Sequence, residues 1–180
     1  WNVVTNLAAA VILFGRSVLL ARPLPIDTFG VYGLAGSIVS LSFMVPRFGM
    51  AAALTHRAPE TADEQQAAAV HFTLKLVFTA VLATGLTAGT LVFAQGQIRT
   101  ALLLITATTA AADLAQTPQS LLIRRVRHRR LAFIDLLTAV LTTVVGVALA
   151  WQGAGLWAIL ATNIVQSVVT VGMLYAWQPV

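Results

Sequence analysis

The sequence predicts an all-α, polytopic membrane protein with six transmembrane helices, and three observations predict it. First, 58% of the 180 residues are hydrophobic and only 9% are charged, whereas an ordinary soluble domain is about 25% charged. Mean hydropathy is +0.86. A soluble domain of this length needs a polar skin that 11 Lys/Arg and 6 Asp/Glu cannot supply. Second, the apolar residues fall into stretches of about 20, the length a helix needs to cross about 30 Å of hydrocarbon while closing its own backbone hydrogen bonds. Third, residues 136–180 carry no charged side chain, which is too long for one span and suits two. This composition speaks against a soluble enzyme, a disordered tail and a nucleic-acid binder. Cysteine is absent, so disulfides and thiolate chemistry are excluded.

The spans follow in order. Span one covers about residues 3–21 and ends at Arg22-Pro-Leu-Pro-Ile-Asp27, where two prolines and two charges stop a lipid-facing helix. Span two covers 30–54, with Pro46 and Arg47 inside it, and a polar segment follows at 55–69. Span three covers 70–94, with Lys75 near its start. The short turn Gln95-Gly-Gln-Ile-Arg99 leads to span four, 100–123, which contains Asp113 and Pro118. The basic run Arg124-Arg-Val-Arg-His-Arg-Arg130 precedes span five, 132–151. Gln152-Gly-Ala-Gly155, flanked by Trp151 and Trp157, turns the chain into span six, 156–177. Tryptophan favours the interface, where its ring is buried and its N–H is wet. The chain starts at Trp1 without an initiator Met or a signal-peptide pattern, and is expected to be a piece of a longer protein.

Lys/Arg placement orients the bundle. The side that holds both ends carries Arg57, Lys75, Arg124, Arg125, Arg127, Arg129 and Arg130; the other carries Arg22 and Arg99. Both ends of this segment are therefore expected on the cytoplasmic side, and spans three–four and five–six form antiparallel hairpins.

Candidate functional residues are the polar side chains inside apolar spans. Asp113 costs about 2.5–3.5 kcal/mol at a span centre if ionised. It is either a proton or cation site, a partner for Arg16 or Arg47, or a neutral structural group. Gln116 lies three residues on and, with Pro118, suggests a polar, bent face. Arg16 sits about 8 Å of helix rise from the outer end of span one, and either snorkels or receives an anion; Arg47 is similar at the other end of span two. Asn163 and Gln166 share a face and either bond between helices or line a cavity. The arginines at 124, 125, 127, 129 and 130 fix the inside face or capture a phosphate-bearing head group. The spacings Gly33/Gly36 and Gly85/Gly89 suggest close helix packing. Nothing supports catalysis: there is no clustered acidic motif for Mg²⁺, and His56, His71 and His128 are scattered.

Several phrases resemble one family. Leu20-Ala-Arg-Pro-Leu-Pro-Ile-Asp-Thr-Phe-Gly30, Phe48-Gly-Met-Ala-Ala-Ala-Leu54, Leu122-Ile-Arg-Arg-Val-Arg-His-Arg-Arg-Leu-Ala-Phe133, Gly153-Ala-Gly-Leu-Trp-Ala158 and Trp177-Gln-Pro179 are similar, in order, to phrases of bacterial polysaccharide and O-antigen exporters. Those are Wzx-type flippases of the MOP superfamily, which includes the MATE antiporters. The resemblance covers nearly the whole chain and implies the N-terminal lobe of a two-lobe, MATE-like transporter in the bacterial inner membrane. It implies alternating access, coupled to a proton or sodium gradient and without a cofactor, for a polyprenyl-diphosphate-linked oligosaccharide. The implied partners are that lipid-linked sugar, membrane lipids and a second six-helix lobe, with no nucleic acid. One departure is Arg47, where the family often shows an acidic residue. A drug/cation antiporter predicts an acidic cavity instead. A non-transporting membrane scaffold predicts that Asp113, Asn163 and Gln166 are all sealed from water.

Overall fold

The computed structural model describes residues 2–47, 64–124 and 128–177. They are helical almost throughout: α1 Asn2–Ala21, α2 Ile26–Arg47, α3 Glu64–Phe93, α4 Gly96–Leu114, α5 Gln116–Arg124, α6 His128–Trp151 and α7 Leu156–Trp177. Five segments are long and apolar enough to cross a membrane, and Leu7–Ala21 is a shorter apolar helix. Phe14, Val81, Val92, Phe93 and Val144 point outward. Such exposure would be an aggregation hazard in water and is the expected surface in lipid. The chain is an all-α, multi-pass membrane protein.

Two turns are set by glycine. Gly96 (φ 60°) starts α4 after a short link from α3, and Gly153 (φ 77°) and Gly155 (φ 55°) turn α6 into α7. These positive φ values exclude most side chains. Trp151 and Trp157 flank the second turn and are 74% and 55% exposed, respectively. Both hairpins form as the short connections predict, with α3 against α4 and α6 against α7. α1 lies along α6 rather than along its covalent neighbour α2. α2 and α4 join the two groups of helices through α7.

Small residues allow the close approaches. Ala35, Ala101 and Ala158 are wholly buried. Ala35 and Val39 of α2 pack with Ala101, Leu102 and Ile105 of α4 and Leu160 of α7. Leu20, Leu24, Ala150, Ala158 and Ile159 tie α1 to the α6–α7 turn. The glycines expected at helix contacts are elsewhere: nothing lies within 4 Å of a Cβ built at Gly33, Gly36, Gly85 or Gly89. The close approach is at Gly146, where a Cβ would stand 2.6 Å from the Thr162 methyl. Spacing alone does not say which face of a helix meets a neighbour.

Span four is a broken helix. Pro118 has no N–H to give to the Leu114 carbonyl, one turn back. The Tyr175 hydroxyl of α7 donates to that carbonyl at 3.4 Å, and α4 stops there while α5 begins at Gln116.

Candidate functional site

Hydroxyls inside the spans are mostly satisfied by their own helix. Thr142 donates to the Thr138 carbonyl at 2.8 Å, Thr143 to Ala139 at 2.7 Å and Thr162 to Ile159 at 2.7 Å. This back-bonding lets Ser and Thr survive among lipid-facing residues. Two places depart from it, on neighbouring faces of α4.

The first is a charged seam between α3 and span four. His71, Lys75 and Thr79 recur every four residues and so form one stripe on α3. Lys75 donates to one Asp113 oxygen at 2.9 Å, with both side chains 0% exposed. Thr79 donates to the other oxygen at 2.8 Å. One turn further, His71 Nδ1 and Thr117 Oγ1 are 2.9 Å apart. Lys75 is thus a partner of Asp113, and the side chain of Arg47 lies outside the described residues. Lys75, counted above among the cations of the inside face, is sealed in the protein instead. It lies two turns into the apolar part of α3, where only a buried anion can offset its desolvation.

The second is an uncharged cleft of about 260 Å³ between α2, α4 and α7. Each helix contributes one face at helical spacing: Tyr32, Gly36 and Ser40; Ile105, Thr108, Thr109 and Ala112; Asn163, Gln166, Ser167 and Thr170. Tyr32 donates to the Asn163 carbonyl oxygen at 3.3 Å, and the Asn163 amide lies 3.2 Å from the same hydroxyl. Ser167 donates to the Thr108 carbonyl at 3.3 Å. These bonds fasten α7 to both other walls. Gln166 is exposed on the cleft. With amides, hydroxyls and one phenol, the cleft can exchange hydrogen bonds with a neutral polyol. Among the described residues no carboxylate or imidazole lines it, and none of them forms a cluster of metal donors.

Of the sequence-predicted residues, Asn163 and Gln166 come together in the cleft, and Asn163 bonds between helices as well. Asp113 and Gln116 do not line it; the break at Ala115 separates them, and Gln116 opens α5 half-buried. Arg16 is half-buried in α1, with its Nε enclosed and without a hydrogen bond. Arg130 is exposed at the start of α6 and lies 5.7 Å over the Trp177 ring. The side chains of Arg47, Arg124, Arg125, Arg127 and Arg129 lie outside the described residues, as do residues 48–63. Tyr32, Ser40, Thr108, Thr109 and Lys75 are the residues that sequence reasoning missed. The four-residue stripe 71/75/79 facing 113/117 was a usable signal for Lys75.

Apolar spans around a polar cleft define a multi-pass membrane protein. The model of the polysaccharide biosynthesis protein family matches residues 19–180, and the chain belongs to that family. This supports a polysaccharide exporter of the MOP type. Searches of curated proteins and of solved structures give no match.

Proposed function

We propose that the protein moves a polyprenyl-diphosphate-linked oligosaccharide across the bacterial inner membrane by alternating access. The uncharged cleft between α2, α4 and α7 carries this reading. Hydroxyl and amide groups inside a membrane protein cost free energy unless they meet a polar partner, and a sugar supplies many. At about 260 Å³ the cleft falls just short of the usual range for ligand pockets, about 300–1,000 Å³. It therefore reads as one wall of a larger cavity that a second six-helix lobe completes. Arg16, with its enclosed Nε lacking a hydrogen bond, is the candidate for the diphosphate charge, and Arg47 is a second. The prenyl tail stays in lipid. Both ends of this segment face the cytoplasm, and a proton or sodium gradient drives the cycle without a cofactor. The role is transport, not catalysis.

A drug/cation antiporter needs an acidic cavity, and the one carboxylate near the cleft, Asp113, is turned away and matched by Lys75. A sealed scaffold accounts for Asp113 but leaves Gln166 exposed on the cleft without a role.

The test uses the full-length protein in cells lacking their own flippase. With Ser40→Val and Gln166→Leu together, lipid-linked oligosaccharide accumulates on the inner face while protein abundance is unchanged. Export at the parental rate would overturn the reading.

A further inference from the structure

The seam between α3 and α4 lies beside the wall that α4 gives to the cleft, Asp113 standing one turn from Thr109, and its charges are held in a particular way. Lys75 and Asp113 are both wholly buried, 2.9 Å apart, and Thr79 completes the carboxylate. The neighbouring groups are few. His71 is the other titratable side chain in the seam and is bonded to Thr117. Among the described side chains, α2 offers Asp27 and Tyr32, both in its first two turns, and Tyr32 is bonded to Asn163; the side chain of Arg47, at the other end of α2, lies outside them. Arg99 is exposed in the first turn of α4, at its other end. Span four is broken between the two seam residues it contributes, Asp113 and Thr117.

We propose that the Lys75–Asp113 pair is a proton-binding site, and that a proton on Asp113 unlatches α3 from α4. The proposal rests on the exporter reading and names the group through which such transport responds to a proton gradient. The step is simple: one proton from water adds to a carboxylate oxygen, Lys75 stays an ammonium, and the pair goes from neutral to singly positive. A lone buried ammonium is far less tolerable than a matched pair. The strain is relieved when the seam parts and water reaches Lys75. Proton binding and opening therefore favour each other by the same factor. α4 also bears Thr108 and Thr109, which line the cleft, so parting the seam moves one wall of the cleft.

The chain has no cysteine, which permits a clean test in the full-length protein in membrane vesicles. Leu82→Cys places one thiol on α3, three residues past Thr79, at a partly buried position packed against the α2–α4–α7 core. A water-soluble maleimide labels it, with the rate at each pH normalised to detergent-unfolded protein. Between about pH 8 and about pH 5 the normalised rate rises about fivefold or more. In the Lys75→Met/Asp113→Leu background, where both charges are replaced together, the rise disappears. A pH-independent rate in the parent overturns the proposal, as does the same rise in the double variant. Labelling needs no cargo, so this failure is distinct from failure of the exporter reading, which shows only in the transport assay.

Discussion

The two faces of α4 make opposite use of polarity. Toward α3 it presents Asp113, whose charge is matched within the protein by Lys75 and Thr79. Toward α2 and α7 it presents Thr108 and Thr109, neutral groups along a cleft that also exposes Gln166. Ala112 and Asp113 are adjacent in sequence, yet one helical step of about 100° sends the first to the cleft and the second to the seam. The contrast teaches that a charge inside a span need not mark an open cavity. The strongest partner for a buried charge is another charge on the chain, and the cleft left open beside this pair is uncharged.

The largest expected effect tests the seam. Lys75→Met alone strands a buried carboxylate and lowers stability by about 3–5 kcal/mol, whereas Lys75→Met/Asp113→Leu returns it close to the parent. Denaturation of the purified protein in detergent, followed by helical circular dichroism, checks this. Equal losses in the single and double variants would break the comparison, because the pair would then matter for shape rather than charge.

Packing behind the cleft comes next. Gly146→Ala forces a methyl against Thr162 and is expected to cost about 1–3 kcal/mol. Adding Thr162→Ser, which removes the clashing methyl, recovers most of it in the same assay. Tyr175→Phe is a smaller change. It removes the donor to the Leu114 carbonyl and costs about 1 kcal/mol. Pro118→Ala supplies a backbone donor to that carbonyl and makes the loss at Tyr175 disappear.

The smallest stability effect sharpens the other face. Gln166→Leu leaves stability within about 0.5 kcal/mol. It raises the half-saturating concentration of lipid-linked sugar in reconstituted vesicles about 2–10-fold, the worth of one hydrogen bond. An unchanged half-saturation would remove Gln166 from the site.

The spans were legible because a bilayer demands long apolar runs with few charges, and the Gly153–Gly155 turn because Trp151 and Trp157 frame it. Asn163 and Gln166 stood out against a tail without charge. Tyr32 and Ser40 did not, since a lone hydroxyl in a span is usually satisfied by its own helix and carries no directional signal. Lys75 was assigned to the inside face because it stands near the start of span three, on the side where Lys and Arg collect. Its place opposite Asp113 depends on which faces of α3 and α4 meet, and that is settled by packing. The same holds for the glycines: Gly146, with no second glycine three or four residues away, makes the close approach.

The course of α1 has a consequence in time. It rests along α6, whose first residue, His128, follows Ala21 by roughly a hundred positions. At about 5–20 residues per second, on the order of 5–20 seconds pass during synthesis before that partner begins to be made. Through that interval α1 waits in the membrane with Arg16 on it and without the helix it packs against. Cellular quality control meets a charged segment without that partner before it meets the finished bundle, so changes on α6 along this contact are expected to reveal themselves first as lost α1 insertion rather than as a weakened finished protein.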